Sequence, residues 1–212
     1  FRLALDLASN RVQVAMAPLP TLILAHRVSS GRVSLAGGGS YGGAYVLEGR
    51  VGSGHATTMT STMEMCAEKL KLEMPRRYKS SGLEILRSVL EGESRFGVTW
   101  EPYATLGRRK GLKVEDCNTQ LCCLLGVNTS SVDNPVVMTR ALAKAIESVR
   151  RGSYDPQAYA NLLDLPVELV KETVKSYNYY EDIPKDVIIA NWDLVKSTVV
   201  PEVTLKNVML ES

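Results

Sequence analysis

Two short stretches carry side chains suited to holding an anion without a metal. Ser61-Thr62-Met63-Glu64 and Ser81-Gly82-Leu83-Glu84 each place a hydroxyl three residues ahead of a carboxylate, the capping-box pattern of a helix start. The first backbone N–H groups of a helix have no partner within it, and the helix dipole adds positive potential there. Ser61 and Thr62 at one start, and Ser80, Ser81 and Gly82 at the other, are therefore candidate contacts for a carboxylate, sulfonate, nitrate or phosphate. Helix stability alone is the other reading of a capping box. A third stretch, Phe96-Gly-Val-Thr-Trp-Glu-Pro-Tyr-Ala104, alternates so that Phe96, Val98 and Trp100 share one face of a short strand. Pro102 then suits a first helical turn. Trp100 and Glu101 thus sit where a strand ends and a helix begins, the place where open α/β sheets bind ligands. An ordinary strand-to-helix turn with a core Trp is the plainer alternative.

Metal and acid–base chemistry find little support. The four cysteines are Cys66, Cys117, Cys122 and Cys123, and the two histidines, His26 and His55, have no zinc-type spacing to them. Cys66 falls in a helical pattern and reads as a buried small hydrophobe. Cys122 and Cys123 are adjacent in an apolar strand, so they should point to opposite faces and make poor joint metal ligands. A Cys117–Cys122 disulfide across a hairpin is one open pairing. For general acid–base work the candidates are His55, Glu101 and Asp6, none with a partner visible in the sequence. No metal and no cofactor is expected.

The elements that would position these residues read as alternating strands and helices. Arg2 to Ser9 is a helix, Val12 to Ala17 a strand, and Pro18-Leu-Pro20 a break before a helix from Thr21 to about Val28. Pro18, Pro20 and Thr21 lie at that strand tip. Arg32 to Ala36 is the next strand. Gly37 to Gly43 holds five glycines in seven residues and reads as a flexible turn or a ligand loop, with Ser40, Tyr41 and Gly42 as its candidate contacts. It matches neither the Walker pattern nor a dinucleotide fingerprint. Strands follow at Ala44–Leu47 and His55–Met59, then a helix from the first capping box toward Pro75. After the Trp100 segment come strands at Leu112–Cys117 and Gln120–Val127, the latter of fully buried parallel type. Helices begin at Asn134-Pro135, Asp155-Pro156, Pro166 and Asn191, with Pro201 as a stop, so the last third reads as helical. Tyr177, Tyr179 and Tyr180 there read as packing rather than site residues.

Composition sets the outer bounds. The chain has 212 residues, 45% of them hydrophobic and 23% charged, with net charge +2, the ordinary globular range for one large domain or two small lobes. The longest basic run, Arg108-Arg109-Lys110, fits a solvated helix end. Nothing in this balance calls for nucleic acid or an anionic membrane. No apolar run approaches the roughly 18 residues of a membrane span. The compartment stays open: extracytoplasmic if a targeting segment has been removed, otherwise cytoplasmic.

The order of these segments resembles the solute-binding proteins of ABC importers, more narrowly their nitrate/sulfonate/thiamine-precursor branch. The resemblance is carried by Asn10 to Pro18, Gly38 to Gly43, Ser61-Thr62, Ser80-Ser81-Gly82, the Leu90-Glu-Gly-Glu93 helix end, Trp100-Glu101-Pro102-Tyr103 and the helices from Asn134 to Asn178. It implies an α/β, type II periplasmic-binding-protein-like fold of two lobes around a cleft. Residues 1–48 would give the N-terminal part of lobe 1, 49–127 lobe 2, and 128–212 a helical region packing back on both. It implies a small anionic or zwitterionic solute as ligand and an ABC permease as partner, with Trp100 as apolar surface and Glu101 orienting an amine or anchoring the hinge. Such proteins ordinarily begin with a further strand–helix–strand unit, and this sequence starts at the helix after it. Two other functions share the fold: an enzyme of the menaquinone-pathway kind and a ligand-sensing regulatory domain.

Overall fold

The computed structural model describes residues 1–118, 122–198 and 208; the expected strand start at 120–121 and the expected stop at Pro201 lie outside them. Two mixed sets of strands and helices follow one another along the chain. Helix α1 (Arg2–Ala8), strand β1 (Val14–Pro18), helix α2 (Leu19–Val28) and strand β2 (Val33–Gly42) come first. Next are β3 (Ala44–Glu48), β4 (His55–Thr57), α3 (Thr62–Lys69), β5 (Arg76–Tyr78), α4 (Gly82–Leu90), β6 (Phe96–Trp100), α5 (Tyr103–Arg109) and β7 (Lys113–Asp116). The chain then returns through β8 (Cys123–Asn128) to helices α6 (Pro135–Arg150), α7 (Pro156–Leu163) and α8 (Val167–Thr173). A single 3-10 turn leads to strand β9 (Tyr177–Tyr180), α9 (Lys185–Ala190) and α10 (Trp192–Thr198).

The strands form two sheets. The first has the order β1-β8-β2-β9 and the second β5-β4-β6-β3-β7. The chain passes from the first to the second at Gly42–Gly43 and returns between Asp116 and Cys123. Both glycines have positive φ, +80° and +71°, a region open to glycine at no steric cost.

Alternation decides which faces are buried. In β3, Ala44 and Val46 pack toward α3 with Met63, Cys66 and Ala67, while Tyr45 and Leu47 pack toward α4 and α5 with Leu86, Val89 and Ala104. Phe96, Val98 and Trp100 join the α3 side, as their spacing predicts. Gly97, on the other face, lets α4 approach closely: a Cβ there would lie 2.7 Å from Val89 and 2.8 Å from Ile85. The first sheet buries Leu35 and Leu124 against Leu7, Leu19, Leu22 and Ile23 of α1 and α2.

Several expectations are corrected. The glycine tract is not a loop but the second half of β2, bulged between Leu35 and Gly39. A Cβ on Gly39 would stand 1.9 Å from the Cys123 carbonyl oxygen, and one on Gly38 2.4 Å from that of Tyr180. The glycines therefore serve close strand approach. Strand β8 is buried as expected but antiparallel to both neighbours rather than parallel, because it is the returning strand of the first sheet. The last third is not purely helical: β9 pairs with β2, and α9 precedes the expected final helix. Helix α3 stops at Lys69, short of Pro75. Cys66 is not a free core thiol but is bonded to Cys117, with Cα atoms 5.9 Å apart. This replaces the hairpin pairing of Cys117 with Cys122, and a span of 51 residues closes through it.

Candidate functional site

A cavity of about 400 Å³ lies where the two sheets meet. Its first wall is one register row of the first sheet. Pro18 pairs with Cys123, Cys123 with Ser40, and Ser40 with Tyr179. Residues directly opposite one another share a face, so these four side chains point together into the cavity, with Tyr177 two positions along. The opposite wall comes from the second sheet. Strands β5, β4 and β6 run parallel, so their carboxyl ends share one edge. Thr58 follows β4 and Trp100 ends β6, and both line the cavity with Ser61 and Met63 at the start of α3. Trp100 is set edge-on against Tyr103 at 5.9 Å between ring centroids.

The start of α3 is held from several sides. Ser61 Oγ accepts from the Met63 and Glu64 N–H groups (3.2 and 3.3 Å), and Thr58 Oγ1 donates to it at 2.7 Å. The Glu64 carboxylate reaches back to the Thr60 N–H at 2.7 Å. Buried Glu64 also accepts from Arg76 (3.1 Å) and from the Tyr78 hydroxyl, and burial pushes that hydroxyl's pKa up. No acceptor among the described residues meets the Ser61 and Thr62 N–H groups. These are the donors a helix start offers to a ligand. Two contacts tie this start to α2 and to the residue preceding β8. Thr21 Oγ1 donates to the Thr60 carbonyl (2.7 Å), and Thr62 Oγ1 to the Cys122 carbonyl (3.2 Å).

The remaining lining is neutral. Tyr177 donates to the Glu101 carbonyl at 3.1 Å, and burial raises its pKa well above that of a free phenol. The Cys122 and Cys123 sulfurs stand 3.5 Å apart and both border the cavity. Opposite-face placement is corrected here, because the strand begins only at Cys123. The hydrogen bond from Cys123 lowers the Cys122 pKa and, with burial, raises that of Cys123. Among the described residues the lining contains no lysine, arginine or carboxylate.

The sequence-predicted residues are thus divided. Pro18, Ser40, Ser61 and Trp100 are together in the cavity wall; Thr21 and Thr62 brace it from behind. Pro20 is buried in the first turn of α2. Tyr41 lies on the other face of β2, stacked on Tyr180 at 4.8 Å, and Gly42 is at the crossing. Ser80 is next to Thr58 along the strand-end edge, since Lys79 N–H donates to the Thr57 carbonyl (2.9 Å). Its hydroxyl and N–H are both engaged by Glu84, at 2.9 Å each. Ser81 caps α4, and the space a Cβ of Gly82 would need is filled by the Tyr103 ring at 2.3 Å. The second helix start therefore contributes nothing to the cavity lining. Glu101 is buried and turned away, accepting from Thr105 N–H (2.9 Å) and Arg108 (3.0 Å), so it anchors the β6–α5 junction.

Missed by sequence reasoning were Thr58, Met63, Tyr177, Tyr179 and the two cysteines. The alternation of tyrosines at 177 and 179 was the available signal for β9. Other acid–base candidates are committed elsewhere: His55 sits between the Glu73 carbonyl (2.7 Å) and Arg76 (3.3 Å), and Asp6 pairs with Arg11 at 3.1 Å. Among the described residues no group of three or more metal-ligating side chains occurs. A second cavity, about 430 Å³, lies between β2, the start of α6 and residues 181–185, away from the meeting of the sheets.

The fold has clear counterparts among solved structures. The periplasmic aliphatic sulphonate binding protein SsuA of Escherichia coli superposes with a TM-score of 0.73 at 11% identity, over 99% of this chain and 79% of that one. The alkanesulfonate-binding protein SsuA of Xanthomonas axonopodis pv. citri, bound to MOPS, gives 0.71 at 15% identity, over 92% and 78%. A Candida albicans gene product described as having the generic periplasmic binding protein fold gives 0.68 at 13%, over 100% and 83%. The chain has the periplasmic-binding-protein fold. No family model and no curated protein matches the sequence. Within this periplasmic-binding fold the cavity occupies the junction of the two sheets, and no helix among the described residues is long and apolar enough to cross a membrane.

Proposed function

We propose that the chain is a solute-binding protein of the ABC-importer type that holds one small molecule in the cavity between its sheets. The observation that carries this is the composition of the lining: Trp100, Met63, Pro18 and the two tyrosines supply apolar surface, and Ser61, Thr58 and Ser40 supply hydroxyls among them. A pocket of mainly apolar surface with a few convergent polar groups is the common form of a small-ligand site. With no cationic side chain among the described lining residues, the polar head would rest on the start of α3, on the Ser61 and Thr62 N–H groups and nearby hydroxyls. The fitting solute has an apolar body and one compact anionic or zwitterionic head, a class that includes the sulfonates of the neighbours named above. In this reading lobe 1 is built on the first sheet, lobe 2 on the second, and closure turns on Gly42–Gly43. The partner would be a membrane permease. The Cys66–Cys117 disulfide is what an oxidising, extracytoplasmic compartment favours.

Calorimetric titration with short alkanesulfonates, carboxylates and zwitterions tests this. The expected result is one site per chain, weakened at least tenfold by Trp100→Ala. Absence of heat across the whole panel, with the protein shown folded by circular dichroism, would overturn the proposal.

A further inference from the structure

The vicinal cysteines have a geometry that solute binding does not require. Consecutive Cα atoms are about 3.8 Å apart, below the roughly 4.4 Å at which ordinary disulfides begin. Adjacency therefore opposes a bond between Cys122 and Cys123, whereas Cys66 and Cys117, 5.9 Å apart, are joined. The pair is held as two thiols with sulfurs 3.5 Å apart. Two bonds of about 2.3 Å to a single pyramidal, trivalent soft centre, at an angle of roughly 95–100°, would separate their sulfurs by about 3.4–3.5 Å, close to the spacing already present. The backbone is pinned on both sides, by Cys122 N–H donating to the Ser40 carbonyl (2.9 Å) and by Thr62 Oγ1 on the Cys122 carbonyl.

We propose that Cys122 and Cys123 form a dithiol site for one thiophilic centre of the trivalent-arsenic class, bridging both sulfurs inside the cavity. Soft thiolates select soft centres. Among the described residues no third histidine, cysteine or carboxylate joins the pair, so what they offer is a two-sulfur site. The lowered Cys122 thiol supplies the first thiolate. With phenylarsine oxide, two As–S bonds form and the arsenic–oxygen bond breaks. The two thiol protons leave with that oxygen as water, and arsenic stays trivalent.

The site is independent of whether an organic solute shares the cavity, which calorimetry reads separately. The test is native intact-mass spectrometry of the folded chain with phenylarsine oxide. One adduct per chain is expected, reversed by 2,3-dimercaptopropanol and not by 2-mercaptoethanol, and lost in Cys122→Ser and in Cys123→Ser. Fragmentation of the wild-type adduct should locate it at these two residues, which tests the assignment without any variant. Affinity should be at least tenfold greater for the folded chain than for the urea-unfolded chain with Cys66–Cys117 intact. No adduct on the folded protein, an adduct surviving either substitution or mapping elsewhere, or equal affinity folded and unfolded would overturn the proposal.

Discussion

Gly43→Ala is the perturbation that most sharply probes how the two sheets are joined. Gly43 has φ +71°, and a Cβ there would lie 2.3, 2.5 and 2.8 Å from atoms of the Tyr177 ring. Two costs follow. Placing a β-carbon in left-handed backbone costs roughly 1–2 kcal/mol, and forcing a packed ring to move costs about 1–3 kcal/mol more. Only the second depends on Tyr177. A double-mutant cycle with Tyr177→Ala, read by urea unfolding, should therefore show Gly43→Ala costing about 2–5 kcal/mol in the wild type and about 1–2 kcal/mol without the ring. The coupling of about 1–3 kcal/mol is within the range seen for residues in contact. The same ring lines the cavity and donates to the Glu101 carbonyl, so the shift should also weaken solute binding. Costs that add to within about 0.5 kcal/mol would mean that the ring is not what the glycine accommodates.

Other expectations can be checked with the same unfolding assay. Replacing Cys66 and Cys117 by Ala opens a loop spanning 51 residues and should cost up to about 4 kcal/mol by the chain-entropy relation; a loss below about 1 kcal/mol would deny the bridge a stabilising role. Ser61→Ala removes the α3 cap and should cost about 1 kcal/mol, together with a measurable loss of affinity for any anionic-headed solute. Glu93 has its pKa lowered by hydrogen bonds from Lys79 and Ser88. Its stabilisation is thus present above the unfolded carboxylate value of about 4.3 and is lost as pH falls through the lower folded value. Stability of Glu93→Gln should accordingly fall less than that of wild type on acidification from pH 5 to below pH 4, and parallel curves would contradict this.

What was legible in the sequence is what short-range physics decides. The Ser61 and Ser81 caps, the face shared by Phe96, Val98 and Trp100, and the proline-marked starts of α6 and α7 depend on residues within one turn or one strand of each other. What escaped depends on distant partners. Gly38 and Gly39 look like a loop until Tyr180 and Cys123 are placed beside them. The direction of β8 is set by β1 and β2, and the bond of Cys66 by a residue 51 positions away. Tyr177 and Tyr179 enter the cavity only because β9 docks on the bulged end of β2. The candidate site was therefore partly visible: Pro18, Ser61 and Trp100 announce themselves as strand or helix ends and Ser40 by its place in the glycine tract, whereas the wall from β8 and β9 exists only after the first sheet closes.

Occupancy of the cavity between the sheets by one small solute is open to direct observation. Native mass spectrometry of the chain incubated with a metabolite extract, then desalted, tests it most directly. A single bound molecule of defined mass with an acidic or zwitterionic head is expected, retained by wild type and lost from Trp100→Ala and Ser61→Ala. A chain that takes up nothing, or that keeps its ligand through both substitutions, would contradict it.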